Sequence, residues 1–218
     1  MIHLGSVGKT TIDIDYSFLI LAGFFVYSFY DPRRGIQYAL LWIPILFLSI
    51  LLHELAHAGT IAAFGYGGSQ VMLAGLGGVT LNKRVGRPWH DMVISGAGPS
   101  ASFLIAFGAT GLSRIVHDPM LVAFLPLLAT ANFVWGLFNL VPIPPLDGGG
   151  IVRNFFRIFM REKNAFLVAI WIGFVVGIAV IVIGIYAKYW MMSFLVAWYL
   201  WMNWQQWQYF RTHGYPGD

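Results

Sequence analysis

Cysteine is absent from the 218 residues of this chain. Its absence excludes a disulfide framework, a thiolate metal site and a cysteine nucleophile. Charged residues are also scarce, because Asp, Glu, Lys and Arg together make up 10% of the sequence, whereas a typical soluble domain carries about 25%. Any metal ion must therefore be held by histidine and carboxylate side chains, and an ordinary soluble domain is disfavoured.

Apolar residues dominate what is present, at 58% of the chain, and the mean hydropathy is +0.71. A transmembrane helix needs roughly 20 apolar residues, so the chain has room for about six spans. The composition therefore predicts an all-α polytopic membrane protein with about six transmembrane helices, folded as a single membrane-embedded domain over residues 1–218. The six apolar runs are residues 16–30, 37–64, 89–115, 120–141, 164–187 and 189–210.

Residues 65–88 interrupt the apolar runs with seven glycines and a few residues that favour strands. Such a segment is not a helix, and its pattern predicts a glycine-rich, β-hairpin-like loop after the second helix. Residues 10–15 alternate in character, which predicts a short strand or an interfacial segment.

The distribution of Lys and Arg predicts the orientation in the membrane. With six spans, nine of these residues fall on the side of both termini and four on the opposite side. Cytoplasmic loops carry the excess of positive charge. We therefore expect a multi-pass protein of the cell membrane with cytoplasmic N- and C-termini. The nine residues are Lys9, Lys83, Arg84, Arg87, Arg153, Arg157, Arg161, Lys163 and Arg211.

The second apolar run carries His53-Glu54-Leu55-Ala56-His57. Histidines at i and i+4 share one face of a helix and can bind one zinc ion, while the glutamate between them can act as general base. Of the nine acidic residues, only Glu54 lies well inside an apolar run, and a charged group in that position marks function. The alternative is a polar cluster that joins helices through hydrogen bonds.

A catalytic zinc site needs a third protein ligand, for which Asp147 is a candidate. It lies in a break formed by Pro142, Pro144 and Pro145 and followed by three glycines. Irregular backbone at membrane depth is tolerated only where it lines a cavity or is buried in protein. An Asp before glycines is also common in ordinary turns, so both interpretations stay open on the local pattern.

Taken together, the two motifs resemble the site-2 protease family of intramembrane zinc metalloproteases. The resemblance rests on residues 53–57 and on residues 139–149, which read Asn-Leu-Val-Pro-Ile-Pro-Pro-Leu-Asp-Gly-Gly. Gly77-Gly78 and Gly98-Pro99 resemble two further elements of that family. The family often has Asn three residues after this Pro, where the present chain has Ser102, and this difference places a polar role for that position in doubt.

The resemblance implies one zinc ion per chain, bound by His53, His57 and Asp147, with Glu54 as the catalytic base. It implies that Asn139 holds the substrate or stabilises the oxyanion. The protease core would cover about residues 10–160, and residues 164–210 would add two C-terminal transmembrane helices. The chain would be a minimal form without a PDZ or CBS domain.

Two further groups are candidates for substrate binding. Asn132 lies two helical turns before Asn139, where it would hold Asn139 or the substrate, or form an interhelical hydrogen bond. Gly77, Gly78 and Val79 would offer a strand edge that binds an unwound substrate by β-augmentation. The alternative for these three residues is a loop that closes the cytoplasmic face.

These inferences converge on hydrolysis of peptide bonds within or next to transmembrane segments. The expected partners are a transmembrane protein or peptide substrate, the lipid bilayer and a regulatory membrane partner, with no nucleic acid. The competing hypothesis is a non-proteolytic metal-binding scaffold or transporter. A transporter needs ionisable residues spread through several helices, whereas here they gather around one motif.

Overall fold

The computed structural model describes residues 1–82 and 86–215. These residues form four strands and eight helices. The strands are β1 (Ile2–Val7), β2 (Thr10–Ile14), β3 (Gln70–Ala74) and β4 (Gly77–Leu81). The helices are α1 (Tyr16–Ser28), α2 (Ile36–Leu40), α3 (Trp42–Ala63), α4 (Pro88–Leu112), α5 (Pro119–Asn139), α6 (Asp147–Arg157), α7 (Glu162–Tyr186) and α8 (Trp190–His213).

The described residues divide into two compact units. The first contains residues 1–82 and 97–137, and the second contains residues 86–96 and 138–215. The boundary therefore falls within α4 and near the end of α5. Lys83 and Arg84, which the positive-inside count includes, lie outside the described residues.

The first unit contains a four-stranded sheet in the order β1-β2-β3-β4. Strands β2 and β3 are parallel, and the other two pairs are antiparallel. Strand β2 occupies the segment for which a strand was one of two predicted interpretations. The fold is thus largely helical but not all-α. Strand β1 carries little sequence signal, because it is mostly exposed and lacks alternating burial.

A hydrophobic core joins this sheet to α1, α3 and α5. Helix α3 contributes the largest share, with apolar side chains that face α1 and the strands. Since the same helix carries His53 and His57, the core fixes the position of the predicted metal motif. The buried members of this core are Phe18, Ala22, Leu41, Trp42, Ile45, Leu46, Ile50, Ala58, Val71 and Leu73.

Four segments of the described chain are helical, long and apolar enough to cross a membrane: Ile36–Ala63, Pro88–Leu112, Pro119–Asn139 and Glu162–Tyr186. Their outward faces carry large apolar side chains such as Leu104 and Val175, which are more than 70% exposed. Such faces suit a lipid surrounding. The protein is therefore an integral membrane protein.

The number of spans differs from the predicted six. Helix α1 has 13 residues, which at 1.5 Å per residue extend about 20 Å, against about 30 Å of hydrocarbon. Helix α8 is long enough, but polar side chains such as Asn203, Gln205, Gln206 and Gln208 lower the hydropathy of its second half. Six crossings stay a prediction.

In the second unit, α7 and α8 pack against the loop that joins α5 to α6. The shared core contains Ile143 and Leu146 from the loop and Val196, Tyr199 and Leu200 from α8. A Cβ at Gly177 of α7 would lie within 3 Å of Leu200 Cδ1. Glycine at this position therefore allows the two helices to approach closely.

Ion pairs tie α6 to its neighbours within the second unit. Arg157 Nη1 lies 3.0 Å from Asp91 Oδ2 at the start of α4, and Arg157 Nε lies 2.5 Å from Glu162 Oε2 at the start of α7. Arg153 also pairs with Glu162. These arginines thus have structural partners in addition to their predicted effect on topology.

Asp13 anchors the first three strands through its buried carboxylate. His3 Nδ1 of β1 and Gln70 Nε2 of β3 each lie 2.8 Å from its oxygens. These hydrogen bonds, the one from His3 first, lower the pKa of Asp13 below its ordinary value. The charged form of Asp13 is therefore stabilised in the folded protein.

We predict that Asp13→Asn lowers the thermal unfolding temperature at pH 7, because a neutral amide accepts these bonds more weakly. A carboxyl with a lowered pKa stabilises the fold above its unfolded pKa, about 3.9. This contribution disappears as the pH falls through the lowered value. Unfolding temperatures of the wild type and Asp13→Asn measured from pH 7 downward should therefore converge in acid. A constant difference at every pH would contradict this account.

Candidate metal centre

Helix α3 places His53, Glu54 and His57 together in the interior of the first unit. All three side chains are at least 93% buried. Ligand atoms from the three residues lie within 4.8 Å of one another, and the imidazole centroids are 4.9 Å apart. The i, i+4 spacing therefore brings both rings to one face of the helix, as the sequence predicts.

The Nε2 atoms of both histidines converge over Gly98 of α4. A Cβ on Gly98 would lie only 2.5 Å from the Nε2 of His53 and would collide still more severely with the Nε2 of His57. No side chain fits there unless the imidazoles move. Gly98 thus permits the backbone of α4 to approach the two ring nitrogens that face the same point.

Ser102 fixes the orientation of one of these rings. It is fully buried, and its Oγ lies 3.0 Å from His53 Nδ1. When His53 Nε2 binds a metal, Nδ1 carries the proton and donates it to this hydroxyl, which holds the ring in place. Ser102 therefore makes a polar contact, although the difference from the family resemblance placed such a role in doubt.

Strand β4 contacts the carboxylate of Glu54. Thr80 Oγ1 donates to Glu54 Oε2 at 2.7 Å. A Cβ on Gly78 would lie 2.5 Å from Glu54 Oε1. The glycine thus leaves space for the carboxylate, and the threonine hydroxyl fixes one of its oxygens.

The predicted substrate residues of β4 lie beside this carboxylate. Gly77 and Gly78 begin the strand, and Val79 is 42% exposed. Among the described strands, β4 is an edge strand with β3 as its neighbour. A Cβ on Gly77 would lie 3.0 Å from the ring of Trp135, and this ring is 6.4 Å from that of His53.

Asn132 of α5 is fully buried in the first unit. Its Nδ2 donates to Ser49 Oγ of α3 at 2.8 Å and to the Leu128 carbonyl at 2.9 Å. Ser49 lies one turn before His53. The structure thus contains the interhelical hydrogen bond that was one of the two interpretations of Asn132, and its role in substrate binding stays a prediction.

The other two predicted site residues belong to the second unit. Asn139 is buried at the last position of α5, and Asp147 is the half-buried first residue of α6. Leu146, rather than Asp147, occupies the N-cap position. The role of Asp147 as a metal ligand stays a prediction.

Glycines pack the first turn of α6 onto the preceding loop. A Cβ on Gly148 would lie 2.5 Å from the carbonyl carbon of Leu140, and one on Gly149 would lie 2.6 Å from that of Ile143. Backbone atoms cannot move aside as a flexible side chain can. This packing explains why two glycines follow Asp147.

The donor set of the first unit fits zinc. Two imidazoles with converging Nε2 atoms, one of them oriented through Nδ1, are a ligand pair that zinc prefers. The carboxylate of Glu54 lies beside them and is a group that can act as a general base. Sequence reasoning missed the hydrogen bond of Thr80 with Glu54. Gly98 and Ser102 are four residues apart and therefore lie on one face of α4, which is the sequence signal that both contact the same neighbouring helix.

Comparisons with known proteins find zinc metalloproteases among the similar sequences. Residues 110–184 match the family model of Peptidase family M50. Over 200 residues, the chain is 32% identical to Rip3 of Mycobacterium tuberculosis, whose name describes it as a zinc metalloprotease, with 84% of this chain and 51% of Rip3 covered. A Synechocystis protein with a similar name is 32% identical over 143 residues, covering 64% of this chain and 38% of that protein.

The chain thus spans about half the length of Rip3 and less of the Synechocystis protein. A solved structure is also similar, that of the site-2 protease from Methanocaldococcus jannaschii. Its TM-score is 0.68, with 94% of each chain covered and 22% sequence identity. This likeness establishes the fold.

We predict that Gly98→Ala weakens zinc binding by about tenfold or more, because its methyl group displaces both imidazoles from their common point. Zinc affinity is measured by chelator competition in detergent. Gly108→Ala is the matched control on the same helix, since its methyl group would have no heavy atom within 4 Å. Equal zinc affinity in the two variants would show that the approach of α4 does not constrain the histidines.

Proposed function

The chain belongs to the site-2 protease family of intramembrane zinc metalloproteases, and on this premise we propose that it hydrolyses peptide bonds within or next to transmembrane segments of membrane proteins. The observation that carries the proposal is the buried group of His53, Glu54 and His57 on an apolar helix long enough to span a membrane. A charged residue and two histidines in that setting are costly unless they serve a function.

One zinc ion per chain is the cofactor that these residues would hold. We propose His53 and His57 as two ligands and Asp147 as the third, on the strength of the donor types and of the family resemblance. When bound, zinc supplies Lewis-acid activation of water and of the scissile carbonyl. Ser102 holds the ring of His53, so that its Nε2 stays directed toward the metal.

Glu54 acts as the general base. Its carboxylate accepts a proton from the attacking water and afterwards delivers it to the leaving amine. Thr80 donates a hydrogen bond to Oε2, which holds the carboxylate in one orientation. Burial of Glu54 excludes bulk water from this transfer.

Two asparagines support the reacting peptide in this proposal. Asn139 donates to the oxyanion or holds the substrate backbone. Asn132 contributes to substrate binding from the preceding part of α5. Its Oδ1 is buried without a hydrogen-bond partner in the described structure, so an acceptor is available to a substrate amide or to water.

Strand β4 binds the unwound substrate in this proposal. The scissile peptide of a transmembrane helix must lose its helical hydrogen bonds before hydrolysis, and a strand edge offers replacements. Gly77, Gly78 and Val79 lie on such an edge, and Gly78 adjoins the carboxylate of Glu54. Binding along β4 would therefore present the peptide bond to the general base.

The finer features of topology also belong to the proposal. We place the protein in the cell membrane with six crossings, α1 and α8 included, and with both termini in the cytoplasm, on the strength of the Lys and Arg distribution. Residues 1–218 form a single membrane-embedded protease domain in this proposal. A regulatory membrane partner would control the access of substrates.

We predict that Glu54→Gln abolishes cleavage but retains zinc, since the amide cannot accept the proton from water. Loss of a general base costs about 100- to 10,000-fold in rate. The assay reconstitutes the protein in liposomes with a panel of labelled transmembrane peptides and records the products by mass spectrometry. Asp31→Asn, at an exposed loop carboxylate, is the control. Cleavage that survives Glu54→Gln would contradict the mechanism.

We predict that Val79→Pro reduces cleavage of the same peptides while zinc content stays at the wild-type level, because proline interrupts the strand that would pair with the peptide. Zinc content and thermal unfolding serve as controls for the fold. A folded, zinc-loaded variant that cleaves at the wild-type rate would overturn the role of β4.

A further inference from the structure

The loop between α5 and α6 is poor in backbone donors. Pro142, Pro144 and Pro145 have no N–H group, so the carbonyls of this loop depend in part on donors from elsewhere. The carbonyl of Pro144 accepts a hydrogen bond from Asn203 Nδ2 at 2.8 Å. Asn203 lies on α8, 59 residues farther along the chain.

Asn203 is a buried polar residue in an apolar setting. It is 2% exposed and lies one turn after Tyr199, in a helix whose neighbouring side chains form the core with Ile143 and Leu146 of the loop. A buried amide is costly unless it is hydrogen-bonded. The bond to Pro144 therefore specifies how α8 and the loop pack together.

The position of Pro144 is coupled to that of Asp147. The two residues are three positions apart, and the glycines after Asp147 pack directly on the loop backbone, with the ideal Cβ of Gly149 2.8 Å from Pro144 Cα. Helix α7 supports the same loop, since a Cβ on Gly173 would lie 3.4 Å from Pro144 Cδ. A shift of Pro144 is thus transmitted to the first turn of α6.

We propose that Asn203 is a positioning residue for the metal site, acting through the loop on Asp147. The inference rests on the proposed function, in which Asp147 is the third zinc ligand. The hydrogen bond from Asn203 holds the loop so that the carboxylate is presented in one orientation. Helix α8 is then part of the metal centre rather than an addition to a complete core.

The test measures zinc affinity by chelator competition in detergent for wild type, Asn203→Leu, Asp147→Ala and the double variant. Residues that orient metal ligands typically contribute 10- to 100-fold to affinity. We expect Asn203→Leu to weaken zinc binding by about this factor in the wild-type background. In the Asp147→Ala background we expect no further loss, because the residue through which Asn203 acts is already gone.

Gln205→Leu is the matched control, since Gln205 is an exposed amide on the same helix. It should leave zinc affinity unchanged. Asn203→Ala is the second variant if Asn203→Leu does not fold, and the same comparison between the two backgrounds applies to it.

The possible results separate this inference from the proposed function. Unchanged zinc affinity in a folded Asn203 variant would overturn the inference alone. An equal loss in both backgrounds would also overturn it, since that pattern indicates general destabilisation. If Asp147→Ala itself leaves zinc affinity unchanged, the third ligand of the proposed function is wrong, and the positioning role of Asn203 is wrong with it.

Discussion

Polar groups buried in an apolar helix need hydrogen-bond partners from neighbouring elements. Helix α3 imposes this constraint by carrying two histidines and a glutamate into the protein interior. Helix α4 supplies the Ser102 hydroxyl as a hydrogen-bond partner for His53. Its Gly98 leaves space for both imidazoles. Strand β4 supplies the Thr80 hydroxyl, which donates a hydrogen bond to Glu54. The small sheet in a largely helical protein therefore has a direct chemical relation to the metal motif.

The second unit meets the same constraint in another way. Prolines end α5 and leave carbonyls without local donors, while glycines let α6 begin against the loop backbone. Asn203 supplies a donor from α8. Asp147 is the first residue of α6. The hydrogen bond that packs α8 on the loop therefore also influences the position of this carboxylate.

Much of this arrangement could be predicted from the sequence, and the failures have physical reasons. The zinc motif on α3 was predictable because i, i+4 spacing on a helix is local. The partners Ser102, Thr80 and Asn203 were not, because their contacts with the residues they support join elements 26 to 59 positions apart. Strand β1 was missed because a mostly exposed strand leaves no burial pattern. The short helix α1 shows that an apolar run does not by itself establish a span.

We propose that the buried group of His53, Glu54 and His57 holds one catalytic zinc ion. The most direct measurement is the zinc content of the purified protein in detergent, alongside His57→Ala and the Gly108→Ala control. We expect about one zinc ion per chain in wild type and control, with loss of zinc in His57→Ala. A folded wild-type protein, never exposed to chelator, that contains no zinc and takes up none when it is supplied would contradict the account.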